Sequence, residues 1–228
     1  TMNIDSKQEK TKALTKCSTK IIATPNTNVL STDSLETSDV YTIEAVYDSE
    51  DLANDPIFPT LIVASTSDTL TPGETIIGQV SGAKGKVILG AGTSTSITYM
   101  VMSGTFVVED VIGQTSGFTK TISSFVNGST EISSRYSLDN GQRDNFYDHG
   151  SIKLRDGQTA PTGKISVVFN FFSHTGVGYF SVDSYISSVG FDDVPVYVSP
   201  ISGEELQLRD CVDFRPRRTD GDTTISNI

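Results

Sequence analysis

The stretches GETIIGQVSG (73–82) and VEDVIGQTSG (108–117) repeat one pattern 35 positions apart. Glu74 falls on Glu109, Ile76 on Val111, Ile77 on Ile112, Gly78 on Gly113, Gln79 on Gln114, Ser81 on Ser116 and Gly82 on Gly117. A solenoid needs at least about three copies, so two copies constrain this part of the chain to a duplicated hairpin inside one small β-module. In each copy a short apolar run reaches Gly-Gln, then Ser-Gly, then a second run, KVILG in the first and KTISSF in the second. Gly78, Gly82, Gly113 and Gly117 mark the turns, because glycine reaches positive φ without steric cost. Segments 73–88 and 108–123 are therefore expected to be equivalent hairpins related by a rough two-fold. With SITYMVM (96–102) between them, they form a meander that curls into a small barrel over 67–125.

The rest of the chain also reads as strands. VYTIEAVY (40–47) alternates, with Tyr41, Ile43, Ala45 and Tyr47 on one face and Thr42 and Glu44 on the other. TLIVAS (60–65) follows as a second strand, and 38–66 is expected to pair with a main β-domain over 126–219. There KISVVFNFF (164–172) puts Ile165, Val167, Phe169 and Phe171 on one face and Val168 and Phe172 on the other, the pattern of a central strand. Asn127-Gly128 and Asn140-Gly141 are candidate type I′ turns. GYFSVDSYISSVG (178–190) and VPVYVS (194–199) complete a set of short strands typical of a β-sandwich or barrel. Only NIDSKQEKTKALTKC (3–17) has helix-forming composition, so 1–37 is expected to be a polar helical segment followed by a turn-rich connector (24–39). The fold class is all-β: a duplicated hairpin barrel and a sandwich-like domain, with a short N-terminal helical segment. The chain starts with Thr and ends DTTISNI, so 220–228 is expected to link to a continuation in a longer polypeptide.

Composition narrows the function classes. Hydrophobic residues make up 36% and there is no Trp, which suits short strands with a hydroxyl-rich surface rather than a large apolar core. The net charge of −11 opposes nucleic-acid binding, where phosphates demand clustered Lys and Arg. The first twenty residues run against this trend, setting Lys7, Lys10, Lys12, Lys16 and Lys20 against Asp5 and Glu9, and read as a solvated helix or arm. No apolar run reaches the roughly 18 residues that cross a bilayer, so no membrane insertion is expected. Cys17 and Cys211 fit neither a zinc site nor a disulfide scaffold.

A catalytic constellation is not legible. His149 follows Asp148, but adjacent side chains on a strand point to opposite faces, and His174 lies in FSHTGVG, read as a loop. No catalytic residue, enzyme activity or cofactor is assigned. Asp48, Glu50, Asp51 and Asp55 lack the EF-hand spacing and read as solvated turn carboxylates, with calcium binding by loop 48–55 as the alternative; no metal site is assigned. GAKGK (82–86) lacks the P-loop spacing. The densest polar and aromatic stretch is RYSLDNGQRDNFYDHG (135–150). Its candidate residues are Arg135, Tyr136, Asp139, Arg143, Tyr147 and Asp148, read as a structural corner or as a contact with a neighbouring subunit.

At this stretch a resemblance enters. SRYSLDNGQRDNFYDHGSIKL (134–154), PTGKISVVFNFFSH (161–174) and GYFSVDSY (178–185) resemble a domain of uncharacterised function in phage structural proteins. SDVYTIEAVYDSED (38–51) and LTPGETIIGQVSGAKGKV (70–87) are similar to the same proteins, the tail-fibre-like and baseplate-associated components of contractile-tailed phages of cyanobacteria. The likeness covers about 38–219. It implies a non-enzymatic structural role in the virion tail. The implied partners are other tail proteins and further copies of the chain, trimers included. A receptor-binding module that attaches to a host surface glycan is the alternative.

Overall fold

The computed structural model describes residues 8–64, 69–89, 95–176, 178–185, 187–222 and 224–225. Its first element corrects the expected helix. The Lys-rich start is strand β1 (Thr11–Ile22), antiparallel to β13 (Ile165–Thr175) from Thr11↔Thr175 to Ile22↔Ile165. Thr11, Thr15, Thr19, Ile21 and Ile22 are β-branched, and the sheet hydrogen bonds outweigh the helix preference of the lysines. Residues 3–7 of that expectation lie outside the described residues. Cys17 sits at a bulge in left-handed conformation (φ 56°), its N–H donating to Asn170 Oδ1 at 2.8 Å. Among the described residues the helical elements are 3₁₀ turns of three residues.

The segment read as a connector contains β2 (Thr32–Ser38), which leads through Asp39 into β3 (Val40–Asp48). The alternation expected along β3 is broken, because Ala45 pairs with Val168 and Ile43 with Phe169, leaving Glu44 as an extra residue. Ile43 therefore packs on one side of the sheet while Ala45 and Tyr47 pack on the other. β4 (Thr60–Val63) does not join the main domain; it pairs with β7 (Ser96–Ser103) and β9 (Thr119–Val126). With β5 (Thr75–Gly78), β6 (Lys84–Leu89) and β8 (Asp110–Gly113) these strands close a barrel in the order β4-β7-β6-β5-β8-β9. The barrel thus starts at 60 rather than 67. Its core holds Ile76 with Val111, Ala83 with Phe118 and Val87 with Ile122, each pair occupying equivalent places in the two copies.

The two hairpins meet antiparallel along β5 and β8, with Ile76↔Gly113, Ile77↔Ile112 and Gly78↔Val111. Ile77 and Ile112 are themselves repeat-equivalent, so a local two-fold passes between them. Reciprocal hydrogen bonds follow it: Gln79 N–H to Asp110 O and Gln114 N–H to Thr75 O, both 2.9 Å. The turn glycines Gly82 and Gly117 have φ of 66° and 70°.

The remaining strands build the main body. A sheet ordered β1-β13-β3-β10, with β10 at Thr130–Glu131, faces a sheet ordered β11-β12-β2, with β11 at Tyr136–Asp139 and β12 at His149–Leu154. They share a core of Leu35, Val40, Val46, Tyr136, Ile152, Leu154, Ile165, Val167 and Phe169. β13 is central: Val168 packs on its opposite side with Cys17, Ala45, Tyr47, Ile88 and Met100, where the barrel leans on the sheet. The hairpin of β14 (Val196–Val198) and β15 (Glu205–Gln207) caps the other end, where Tyr197 and Leu208 cover Phe172 and Tyr185.

Candidate functional site

The stretch 135–150 divides. Arg135 ends a 3₁₀ turn and donates from Nη1 to Thr159 O at 3.2 Å, away from the corner. Tyr136 starts β11 and is buried in the sandwich core. Asp139, Arg143 and Asp148 do come together: the Arg143 guanidinium forks onto Asp139 at 2.9 and 3.0 Å and lies 3.7 Å from Asp148, which also faces Arg218 at 2.8 Å. The pair is partly exposed, so it is worth at most about 1 kcal/mol. Arg143→Ala is accordingly expected to lower the unfolding free energy by no more than about 1 kcal/mol in urea titration. A loss several times larger means that Arg143 anchors more than this pair.

Tyr147 turns inward and enters a network that no spacing in the sequence announces. Its hydroxyl accepts from Lys12 Nζ at 3.0 Å and Arg215 Nη2 at 3.2 Å, and donates to Asp213. Lys12 Nζ lies 2.7 Å from Asp39 Oδ2, and His174 Nε2 lies 2.5 Å from the same oxygen. Arg215 binds Asp213 through Nε and Nη2 and donates from Nη1 to Arg143 O at 2.8 Å. Lys12, Asp39 and Tyr147 are at most 1% exposed. The Lys12 ammonium sits 4.2, 4.6 and 4.8 Å from the ring centres of Tyr147, Phe180 and Tyr185. Cation–π contact supplements the ion pair there.

Burial alone disfavours every charge in this site. It raises the Tyr147 pKa well above the ordinary range and lowers that of His174, so Tyr147 is neutral and His174 uncharged at neutral pH. For Asp39 burial works upward, but the Lys12 ammonium and the His174 hydrogen bond outweigh it and hold the carboxyl at about 2. Lys12 is raised because Asp39 overcomes its own burial. Asp213 is likewise lowered, burial being outweighed by Arg215. The two cations and two anions balance. Lys12, Asp39 and Tyr147 are buried, and the cluster ties β1, the β2–β3 junction, β13 and the C-terminal segment together. His174 belongs to β13, not to a loop. His149 opens β12, with Nε2 2.8 Å from Thr219 O.

The repeat carries a second polar arrangement. Each glutamate caps the turn of the other copy. Glu74 accepts from the N–H groups of Thr115 and Ser116 at 2.8 and 2.7 Å and from Ser116 Oγ at 2.8 Å. Glu109 accepts from the N–H groups of Val80 and Ser81 at 2.5 and 2.8 Å and from the Ser81 hydroxyl. Burial raises the Glu109 pKa, but the Ser81 hydroxyl and the turn amides outweigh it and leave it at about 2. An unfolded Glu titrates near about 4.3, so this stabilisation is complete above that pH and is lost as pH falls from there towards 2. Acid titration of wild type and Glu109→Gln is expected to show a steeper loss of stability over that window in the wild type. Parallel curves would remove Glu109 from the acid response.

The acidic loop is tied to its own backbone and to the turn before β13. Asp48 is buried and accepts from the N–H groups of Glu50, Thr162 and Gly163, Asp51 accepts from Ala53 N–H, and Asp55 pairs with Lys164 at 2.9 Å. Among the described residues no group of three or more His, Cys, Asp or Glu is placed to hold a metal ion.

The surface beside the corner is open. Two recesses of about 450 Å³ flank Tyr197. One is lined by Asp144, Leu206, Val212, Phe214 and Arg215, the other by Tyr41, Asn140, Gln142, Arg143, Val196 and Val198. Val212 lines the first and Val198 the second, both largely exposed, and Ile201, after β14, is 86% exposed. No family model, curated protein or solved structure matches this chain.

Proposed function

We propose that this chain is a structural module of a phage tail, in a fibre or baseplate, acting through contacts with other tail proteins and further copies of itself. One observation carries the reading. The polar stretch behind the phage resemblance is tied into the chain's own C-terminal segment rather than arranged around a catalytic cleft. Tyr147 N–H donates to Pro216 O at 2.8 Å, Arg218 N–H to Tyr147 O at 2.7 Å, and Arg215 to Arg143 O. The side chains left outward around it, Val198, Ile201 and Val212, are apolar and suit a protein neighbour. Antibodies raised against the purified chain are expected to decorate the tails of particles in immunoelectron microscopy. Decoration of capsids or host envelopes, or none of any particle, rejects the reading.

A second reading rests on the recess between Tyr41 and Arg143, whose Asn140, Gln142 and aromatic lining are of the kind that binds sugars. Saturable binding on a glycan array, lost in Tyr41→Ala, would favour a receptor-binding module of the same particle.

A further inference from the structure

We infer that Lys12 and Asp39 are a self-reacting pair that closes an intramolecular amide between β1 and the β2–β3 junction. This does not depend on the tail reading. The reacting groups are already in contact, with Nζ 2.7 Å from Oδ2 and both side chains buried. Groups held so carry effective concentrations on the order of 10⁵ M or more. The enclosure is aromatic on several sides: Tyr147, Phe180, Tyr185 and, at 5.7 Å, Phe172 surround the amine. It holds back bulk water, which is both the by-product of condensation and the nucleophile of its reversal. Proton partners stand on both sides. His174 touches the Asp39 oxygen, and Tyr147, itself bonded to Asp213, touches the Lys12 nitrogen.

The step is a condensation in which nothing is oxidised or reduced. The ammonium passes one proton to Oδ2 along their hydrogen bond, against the pair's preference for its ionised form, a transfer that burial of both charges makes less costly than in water. The free amine then adds to Cγ and the Nζ–Cγ bond forms. Its second proton passes to the departing oxygen, which neutral His174 holds by a hydrogen bond while the Tyr147 hydroxyl holds the nitrogen. The Cγ–Oδ2 bond breaks and water leaves. Of the three ammonium protons two depart in the water and one stays as the amide N–H, so His174, Tyr147 and Asp213 end with the charges they began with.

Intact-mass spectrometry of the full chain under denaturing conditions tests this. The expected mass is one water below that of the sequence, with proteolysis yielding a branched peptide that joins the segments around Lys12 and Asp39. A chain at full sequence mass overturns the inference, as does a water loss that maps elsewhere. Asp39→Asn separates the routes further, because a carboxamide releases ammonia. That variant is expected one ammonia below its own sequence mass, and Lys12→Arg at its full mass. Water loss persisting in Lys12→Arg also overturns the inference. Where a variant fails to fold, the wild-type mass and branched peptide decide alone.

Discussion

Lys12→Met lowers the unfolding free energy by about 3–5 kcal/mol, because it leaves the buried Asp39 carboxylate without its cation. The remaining neighbour on that oxygen is His174, which is uncharged at neutral pH. Methionine fills the same aromatic enclosure with favourable sulfur–ring contacts, so little of the loss comes from packing. The double variant Lys12→Met/Asp39→Asn removes both charges and keeps at position 39 a residue that tolerates its left-handed backbone (φ 56°). It is expected to recover more than half of the loss, since replacing a whole buried pair is often close to neutral. Urea unfolding of the three proteins decides. A single variant within about 1 kcal/mol of wild type would show that the pair contributes no more than a surface bridge. The direction holds whether the pair is ionic or joined as an amide, since methionine can make neither link.

Glu109→Ala is the second large effect, at about 2–4 kcal/mol, because it removes at once the charged acceptor of the Val80 and Ser81 amides and of the Ser81 hydroxyl. Glu74→Ala should behave alike at the other turn, where Thr115 and Ser116 lose theirs. The glycines explain the spacing. A Cβ at Gly78 would overlap the Glu109 carboxylate, and one at Gly113 would lie 2.7 Å from Glu74 Oε1. Gly78→Ala is therefore expected to be strongly destabilising in the wild type and milder in Glu109→Ala, where the carboxylate is gone and the Ser81 hydroxyl, 2.7 Å from the added Cβ and free to rotate, is the obstruction left. Such a cycle measures the coupling directly. Additive losses would mean that the glycine serves backbone conformation alone.

These two sites differ in how far the sequence disclosed them. The repeat was legible because its chemistry is local: Glu, Gly and Ser-Gly recur at one offset, and each residue type has a reason at its place in the turn. What the pattern could not say is that each glutamate serves the opposite copy. That follows from the antiparallel meeting of β5 and β8. The polar corner at 135–150 was visible by density of charge, yet its members part: Asp139, Arg143 and Asp148 meet, Arg135 binds Thr159 and Tyr136 enters the core. Tyr147 belongs to a network in which Asp39, Asp213 and Arg215 carry no sequence signal, while by sequence Lys12 reads as one of several solvated lysines and His174 as a loop residue.

By itself, then, the sequence determined the all-β class, the duplicated hairpins and the central place of β13, because period-two alternation and turn glycines act over a few residues. Tertiary structure decided the rest. The Lys-rich start became a strand because β13 offered its whole length as a partner, and residues 60–63 went to the barrel because β7 and β9 had free edges to close. The Lys12 ammonium was drawn inside because Asp39, brought close by the β2–β3 junction, and the surrounding rings compensate its lost water. Those partners lie 27 and 135 positions from Lys12 along the chain. Contacts of that range depend on which strands pair, and no local pattern encodes that choice.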